Sequence, residues 1–182
     1  MQMILQFIVS LFIFLVLSTQ TNAFFPSTIS SVATLTPAVD YNLPYAGILP
    51  DHPLYTLKVL RDRILLFFTR DPEKKVHLNL LFSDKRLVMG QMLWEKGNID
   101  LSVSTIGKGE KYLLSAAIDL LALKKKNNLP PGLSDKVELA AKKHEEVIMK
   151  LIKFSDDEAK RHSLNLALGI NYQAIQQILS AK

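Results

Sequence analysis

Histidine side chains are the first groups in this 182-residue sequence whose type and spacing suggest chemistry. His77, His144 and His162 fall in three separate segments of helical periodicity, and His144 lies on the apolar line of its segment. Imidazoles that converge with a carboxylate bind zinc or copper. No two histidines here are four residues apart, so the spacing of a metalloprotease helix is missing. We therefore predict that no metal is bound and that His144 is a hydrogen-bonded core residue. The alternative is an extracytoplasmic metal- or stress-responsive binding protein that uses the three histidines.

Asp84 is the second candidate, because it lies in a helical segment that is otherwise well filled with apolar residues. A partly buried acid can be catalytic, but it more often pairs with a cation on a facing helix. We predict such a structural pair, and its candidate partners are Lys58, Arg61 and Arg63. No nucleophile–base pair, phosphate-binding glycine loop or G-x-S-x-G motif accompanies it. We expect a protein that is not an enzyme, with no catalytic residue and no cofactor.

Cysteine content and charge exclude several classes of protein. The chain has no cysteine, which excludes disulfide bonds, Cys-ligated zinc, iron–sulfur clusters and thiol catalysis. Its net charge is +5, and no Lys or Arg precedes Lys58. The basic residues are interleaved with Asp and Glu along helical segments, a pattern typical of a solvated surface. We therefore expect no nucleic-acid partner.

The N-terminal part of the chain has the composition of an export signal and a tether. Residues 1–23 contain no charged side chain and hold an apolar run from Ile4 to Leu17. Because this run is short for a membrane span and small residues follow it, we predict a signal peptide that is cleaved after Ala23. An uncleaved anchor is the alternative, since no Lys or Arg precedes the run. Residues 24–46 are rich in Ser, Thr, Pro and Ala and are predicted to be a linker.

Residues 47–182 carry the patterns of a single all-α domain. No strand pattern occurs, and about five amphipathic helices are predicted to form antiparallel hairpins in a bundle. Capping signals at Asp51, Asp71-Pro72, Ser134 and Ser155 mark helix starts. The predicted helices are 53–69, 72–96, 99–126, 134–154 and 156–180.

Apolar periodicity predicts which face of each helix is buried. The run Ile64–Phe68 is apolar almost all round, so the first helix is predicted to be central and to form a hairpin with the second. Small residues predict close helix contact, or a kink at the two glycines of the third helix; they are Ser83, Gly90, Gly107 and Gly109. The predicted buried lines of the first and fifth helices are Leu57, Leu60, Ile64 and Phe67 or Phe68, and Leu164, Leu168, Tyr172, Ile175 and Leu179.

Short motifs occur in a characteristic order along residues 41–123. They are Leu49-Pro50-Asp51, Pro53-Leu54-Tyr55, Leu57-Lys58, Thr69-Arg70-Asp71-Pro72, Asp84-Lys85-Arg86-Leu87 and Glu95-Lys96-Gly97. In this order they resemble an uncharacterised bacterial extracytoplasmic helical family, domain of unknown function 5667. One departure is Ser83 or Asp84 where the family pattern has an alanine. The resemblance implies a helical fold and a location beyond the cytoplasmic membrane, and it implies no activity and no functional residue.

These observations lead to an expected place and role. We expect a protein that is secreted or anchored on the outer side of the cytoplasmic membrane, touching the membrane only through residues 1–23 if they are retained. The expected role is that of a non-enzymatic, envelope-associated interaction module. Its expected partner is an envelope protein or a cell-surface polymer.

Overall fold

The computed structural model describes residues 38–182, which form five α-helices and contain no strand. The all-α fold class is therefore confirmed. The described residues belong to one compact unit. The predicted signal peptide and the part of the linker before residue 38 lie outside the described residues. The helices are α1 (Tyr55–Phe68), α2 (Pro72–Glu95), α3 (Ile99–Lys125), α4 (Leu133–Phe154) and α5 (Glu158–Ser180).

Side-chain caps mark the starts of α2 and α5, and one of the four predicted caps is correct. The prediction for Asp51 was wrong, because α1 begins after Leu54, which makes no side-chain cap hydrogen bond, and the Asp51 carboxylate accepts from Lys96 instead. The Asp71 carboxylate accepts the backbone N–H groups of the first turn of α2, with Pro72 at the first helical position. The prediction for Ser134 was wrong: α4 begins one residue earlier, after Gly132 in the left-handed region with a φ of 74°. Ser155 was also wrong, because the side chain of Asp157 caps α5. A carboxylate is a strong cap, and here it lies closer to the helix than the serine does.

The closest helix contact in the structure joins α2 to α3, and small residues make it possible. The Ser83 hydroxyl donates to the Gly109 carbonyl over 2.9 Å, and the Ser102 hydroxyl donates to the Gly90 carbonyl over 2.6 Å. As the residue number rises along α2 it falls along α3, so the two helices are antiparallel. A Cβ atom built on Gly90 would lie 2.3 Å from the Cγ1 atom of Ile106. The predicted close contact is therefore confirmed at Ser83, Gly90 and Gly109, and it was wrong at Gly107, where nothing lies within 4 Å of a built Cβ atom.

The hydrophobic core lies among α2, α3, α4 and α5. The buried line of α5 differs from the predicted one, since Tyr172 and Leu179 are exposed. Beyond Leu164 the buried positions are shifted by one residue, which turns smaller side chains toward α3 and α4. The buried residues of α5 are Leu164, Ala167, Asn171, Ala174 and Ile178.

Helix α1 lies at the edge of the bundle, so the prediction that it is central was wrong. Its one buried residue is Asp62, and α2 is the one described helix that it contacts. The predicted buried line faces solvent instead, with Leu57 64% and Phe67 82% exposed. Helix α1 does contact α2, as a hairpin of the first two helices requires, but α2 packs mainly on α3.

Among residues 38–182, no helix has both the length and the hydropathy that a membrane span requires.

Candidate functional site

A charged network lies in the centre of the bundle, around His144. The inner line of α4 carries this side chain to a position with 0% exposure. Its Nδ1 atom lies 2.7 Å from Oε1 of Glu110 on α3, and its Nε2 atom lies 3.0 Å from Oδ1 of Asp84 on α2. Carboxylate oxygens accept hydrogen bonds, so both ring nitrogens donate and the ring is an imidazolium. His144 is thus a hydrogen-bonded core residue, as predicted.

The charge of the ring is stabilised by its two neighbours. Burial alone would lower the pKa of His144, but the Glu110 and Asp84 carboxylates outweigh burial and raise it to about 9. A doubly protonated imidazole has no lone pair with which to accept a proton or to bind a metal. The arrangement therefore makes His144 a permanent cation at neutral pH.

Two further side chains complete the network at its ends. The Tyr41 hydroxyl donates to Oδ2 of Asp84 over 2.7 Å. Burial, followed by this bond to Asp84, raises the pKa of Tyr41. On the other side, Nδ2 of Asn171 donates to Oε2 of Glu110 over 2.9 Å and to the Ala141 carbonyl over 3.1 Å. The network thus joins the segment before α1 to α2, α3, α4 and α5.

Asp84 is buried, with 4% exposure, but its predicted partner was wrong. It bonds His144 and Tyr41 rather than a cation of α1. Arg61 bonds Asp62 beside it, over 2.7 Å. The ammonium group of Lys58 donates to the carbonyl oxygens of residues 46 and 48. The reason is geometric, because Asp84 lies on the side of α2 that faces α4 and not α1.

The three histidines considered for a metal site do not share hydrogen bonds. His77 is on the surface of α2, 3.8 Å from the Glu73 carboxylate. His162 is exposed on α5, and His144 bonds only the two carboxylates described above. Within residues 38–182, no three His, Asp or Glu side chains are placed so that they could hold a metal ion.

Sequence reasoning missed Glu110, Asn171 and Tyr41 as members of the network. A signal was present for two of them. Glu110 lies four residues after Ile106 and three before Leu113 on the buried line of α3, and Asn171 continues the spacing of Leu164 on α5. A polar residue at a position where the apolar period continues indicates a buried polar contact. Tyr41 had no such signal, since it precedes the helices.

The Asp84-Lys85-Arg86-Leu87 motif serves the fold through these and neighbouring contacts. Arg86 is buried, its guanidinium carbon lies 4.2 Å from the centre of the Tyr112 ring, and its Nη1 atom donates to the Phe82 carbonyl over 3.0 Å. A cation over an aromatic face in a desolvated site is stabilising. Leu87 is fully buried in the core. The motif therefore supports the fold, and Lys85 alone points toward the surface beside α1.

The exposed face of α1 is the second notable surface. We call it the α1 face; it comprises Leu54, Leu57, Leu60, Ile64, Leu65, Phe67 and Phe68, each at least 45% exposed. At its N-terminal end it borders a groove of about 460 Å³. Leu54 and Leu57 line this groove together with three basic side chains, Lys58, Arg61 and Lys85. The exposure of so many large apolar side chains on one helix makes the α1 face a candidate binding surface.

Comparison with known proteins identifies a family for this chain. Residues 47–160 match the model of the family described as Domain of unknown function (DUF5667). The match extends through α4 to the first residues of α5, beyond residues 41–123, where the resemblance was recognised. No curated protein and no solved structure matches the chain.

Proposed function

The chain belongs to the family described as Domain of unknown function (DUF5667), and we propose that it is an exported, non-enzymatic helical module that acts at the cell envelope through the α1 face. The observation that carries this proposal is the exposure of that face. Phe67 and Phe68 are 82% and 73% exposed, although α2 to α5 have enough apolar surface to form a closed core. These exposed side chains add nothing to the stability of a fold whose core is formed by the other helices. Their exposure therefore supports a role in binding.

The central network supports the non-enzymatic part of the proposal. Both nitrogens of His144 are engaged as donors and Tyr41 donates to Asp84, so neither residue is poised as a base or a nucleophile. A raised pKa of Tyr41 opposes formation of its phenolate. These groups are best suited to holding the helices of the bundle together.

The envelope location is supported by the sequence before the domain. Residues 1–23 have the apolar run and the small residues near Ala23 that are typical of a secretory signal. The absence of cysteine places no redox requirement on the compartment.

Site-specific photocrosslinking in intact cells tests the proposal. A photoreactive amino acid replaces Ile64 on the α1 face, and a matched control replaces Met149, which is 52% exposed on α4. We expect crosslinks to an envelope component from position 64 and none from position 149. Since the chain has no native cysteine, Met149→Cys in the full-length chain also reports location through a membrane-impermeant maleimide. Protection of that thiol in cells with a permeabilised outer layer would contradict export, and equal crosslinking from both positions would contradict the α1 face.

A further inference from the structure

We infer that the α1 face docks onto the surface of an anionic lipid membrane. This inference rests on the proposed envelope function and names the partner of the same surface. It adds a membrane contact that is separate from residues 1–23, the one segment for which the sequence predicts such contact.

The apolar side of α1 has the composition of a helix that lies in a membrane interface. Leucine, isoleucine and phenylalanine occupy it, and Phe67 and Phe68 at its C-terminal end are the most exposed. Helices of this type lie parallel to the bilayer, with the apolar side chains a few ångströms below the headgroups. The opposite side of α1, which includes Val59, Asp62 and Leu66, is turned to the bundle. The helix is therefore already oriented for docking without a conformational change.

The charges of α1 favour a membrane with a negative surface charge. Its one acidic residue, Asp62, is buried and paired with Arg61, so every exposed charge on the helix is positive. By the helical period, Arg63 lies on one flank of the α1 face, and Lys58 lies on the other, where its ammonium group donates to the carbonyl oxygens of residues 46 and 48. Basic side chains beside an apolar strip interact with anionic headgroups at the depth where phosphates lie. Lysine and arginine stems also extend over apolar surface while their charges reach the headgroups.

The groove beside the α1 face offers a place for one headgroup. Lys85 and Arg61 line it together with Leu54 and Leu57, so cationic and apolar groups meet at its wall. Lys58 also lines it, but its ammonium group already donates to backbone carbonyls. An anionic phosphate with an acyl chain below it matches this combination of groups.

Two other occupants fit the charges less well. A second copy of the chain would bring identical cationic flanks together across a twofold axis, and such like-charge contacts are unfavourable. The apolar segment of residues 1–23 carries no charge, and no acid precedes Asp40. That segment offers no counter-charge for Lys58, Arg61 or Arg63.

The test places an environment-sensitive fluorophore on the full-length protein in vesicles. The chain lacks cysteine, so Ile64→Cys carries the label on the α1 face and Met149→Cys carries the matched control. The vesicles contain phosphatidylglycerol and phosphatidylcholine, with a quencher attached to the acyl chains. Because the readout is the depth of residue 64 and not the binding of the whole protein, insertion of residues 1–23 does not produce it. We expect quenching at position 64, none at position 149, and weaker quenching at high salt.

Two further substitutions in the Ile64→Cys background separate the apolar and electrostatic contributions. Phe67→Ser is expected to lower the ratio of docked to undocked protein roughly tenfold, because one large apolar side chain no longer enters the lipid. Arg63→Gln is expected to lower it roughly fivefold, and only in vesicles that contain phosphatidylglycerol. Both residues are exposed on α1, so the folded fraction should be unchanged by circular dichroism.

Three results would overturn the inference. The first is no quenching at position 64, and the second is equal quenching in vesicles of phosphatidylcholine alone. The third is a label at position 64 that is already shielded without vesicles, which would indicate coverage by residues 1–23 or by a second copy. If position 64 fails to enter lipid yet crosslinks an envelope protein in cells, the membrane inference fails and the proposed function stands. If it neither enters lipid nor crosslinks anything, both fail.

Discussion

Helices α4 and α1 differ in whether their apolar and charged residues face the core or the solvent. In α4 most of the aliphatic side chains face the core, and the buried charge among them, His144, has two carboxylate partners. In α1 most of the large apolar side chains face solvent, and the one buried residue is Asp62. Both segments show helical apolar periodicity in the sequence. Periodicity thus establishes that residues share a face, but not that the face is buried.

The difference has a physical cause in the number of neighbours. Helix α4 contacts α5, α3 and α2, so its apolar line is covered from several directions. Helix α1 contacts α2, and it is held there through the small cluster of Ala46, Leu49 and Met89 with Tyr55 against it. An apolar face without a second neighbour remains open to another molecule. The α1 face is therefore available for the binding role that we propose, while the α4 line is a source of stability.

The largest effect is expected at the buried charge of α4. His144→Ala leaves the Asp84 and Glu110 carboxylates buried without their cation, and it should lower the free energy of unfolding by about 3–5 kcal/mol. Urea unfolding followed by circular dichroism measures this. The control is His162→Ala on the exposed side of α5, which should stay within about 0.5 kcal/mol of the wild type. Similar losses for the two variants would mean that the network does not stabilise the bundle.

The pH dependence of stability is a second test of the buried charge of α4. The pKa of His144 is raised from 6.5 to about 9, so its stabilising contribution is complete below the unfolded-state value and is lost as the pH rises through about 9. The loss should be on the order of 3 kcal/mol, from the size of the shift. We expect the difference in unfolding free energy between the wild type and His144→Gln to shrink from neutral to alkaline pH. Lys58 lies outside the network, so its titration occurs in both proteins and cancels. A difference independent of pH would contradict a charged His144.

A smaller effect tests how tightly the core is closed at the α2–α3 contact. In Gly90→Ala the new Cβ would lie 2.3 Å from Cγ1 of Ile106, a fully buried side chain. Overpacking should outweigh the gain in helix propensity and destabilise by about 1–2 kcal/mol. The matched variant is Gly107→Ala on α3, where nothing lies within 4 Å, and it should stabilise by up to about 1 kcal/mol. Thermal unfolding of the two proteins should therefore shift in opposite directions.

The smallest effect is expected on α1, and it decides whether the α1 face is exposed in solution. Leu57→Ala removes a side chain that is 64% exposed, and it should change the free energy of unfolding by no more than about 0.5 kcal/mol. Leu87→Ala, at a position with 0% exposure in α2, should cost about 2–5 kcal/mol. Denaturant midpoints of the pair measure this directly. A large loss for Leu57→Ala would show that the α1 face is covered in solution.

The features that sequence reasoning predicted correctly depend on near neighbours in the chain. The Asp71-Pro72 start of α2 follows from local capping, and the burial of His144 follows from its place on the apolar line of α4. Close contact at Gly90 was also predictable, because a small residue on an apolar line lets a second helix approach the backbone there. The family could be recognised from the order of its motifs.

The features that could not be predicted depend on partners far away in the chain. Asp84 and His144 are 60 residues apart, and Asn171 and Glu110 are 61 residues apart. The choice of His144 over Arg61 as the partner of Asp84 depends on which side of α2 meets α4, and no single segment encodes that. The exposure of α1 has the same origin, since it depends on how many helices of the described chain pack against it.

The attachment of the chain to the bundle before α1 has a mechanical consequence. The Val39 backbone N–H donates to the Glu146 carboxylate over 2.8 Å, and the Tyr41 hydroxyl donates to Asp84. A pulling force applied on the N-terminal side of Val39 therefore loads α4 and α2 first. Helix α1 follows Tyr41 in the chain, whereas these two bonds connect the segment before it directly to the bundle. Helix α1 therefore carries no tension while the bonds hold. A tethered domain of this design can be pulled from its N-terminal end while its α1 face keeps its orientation.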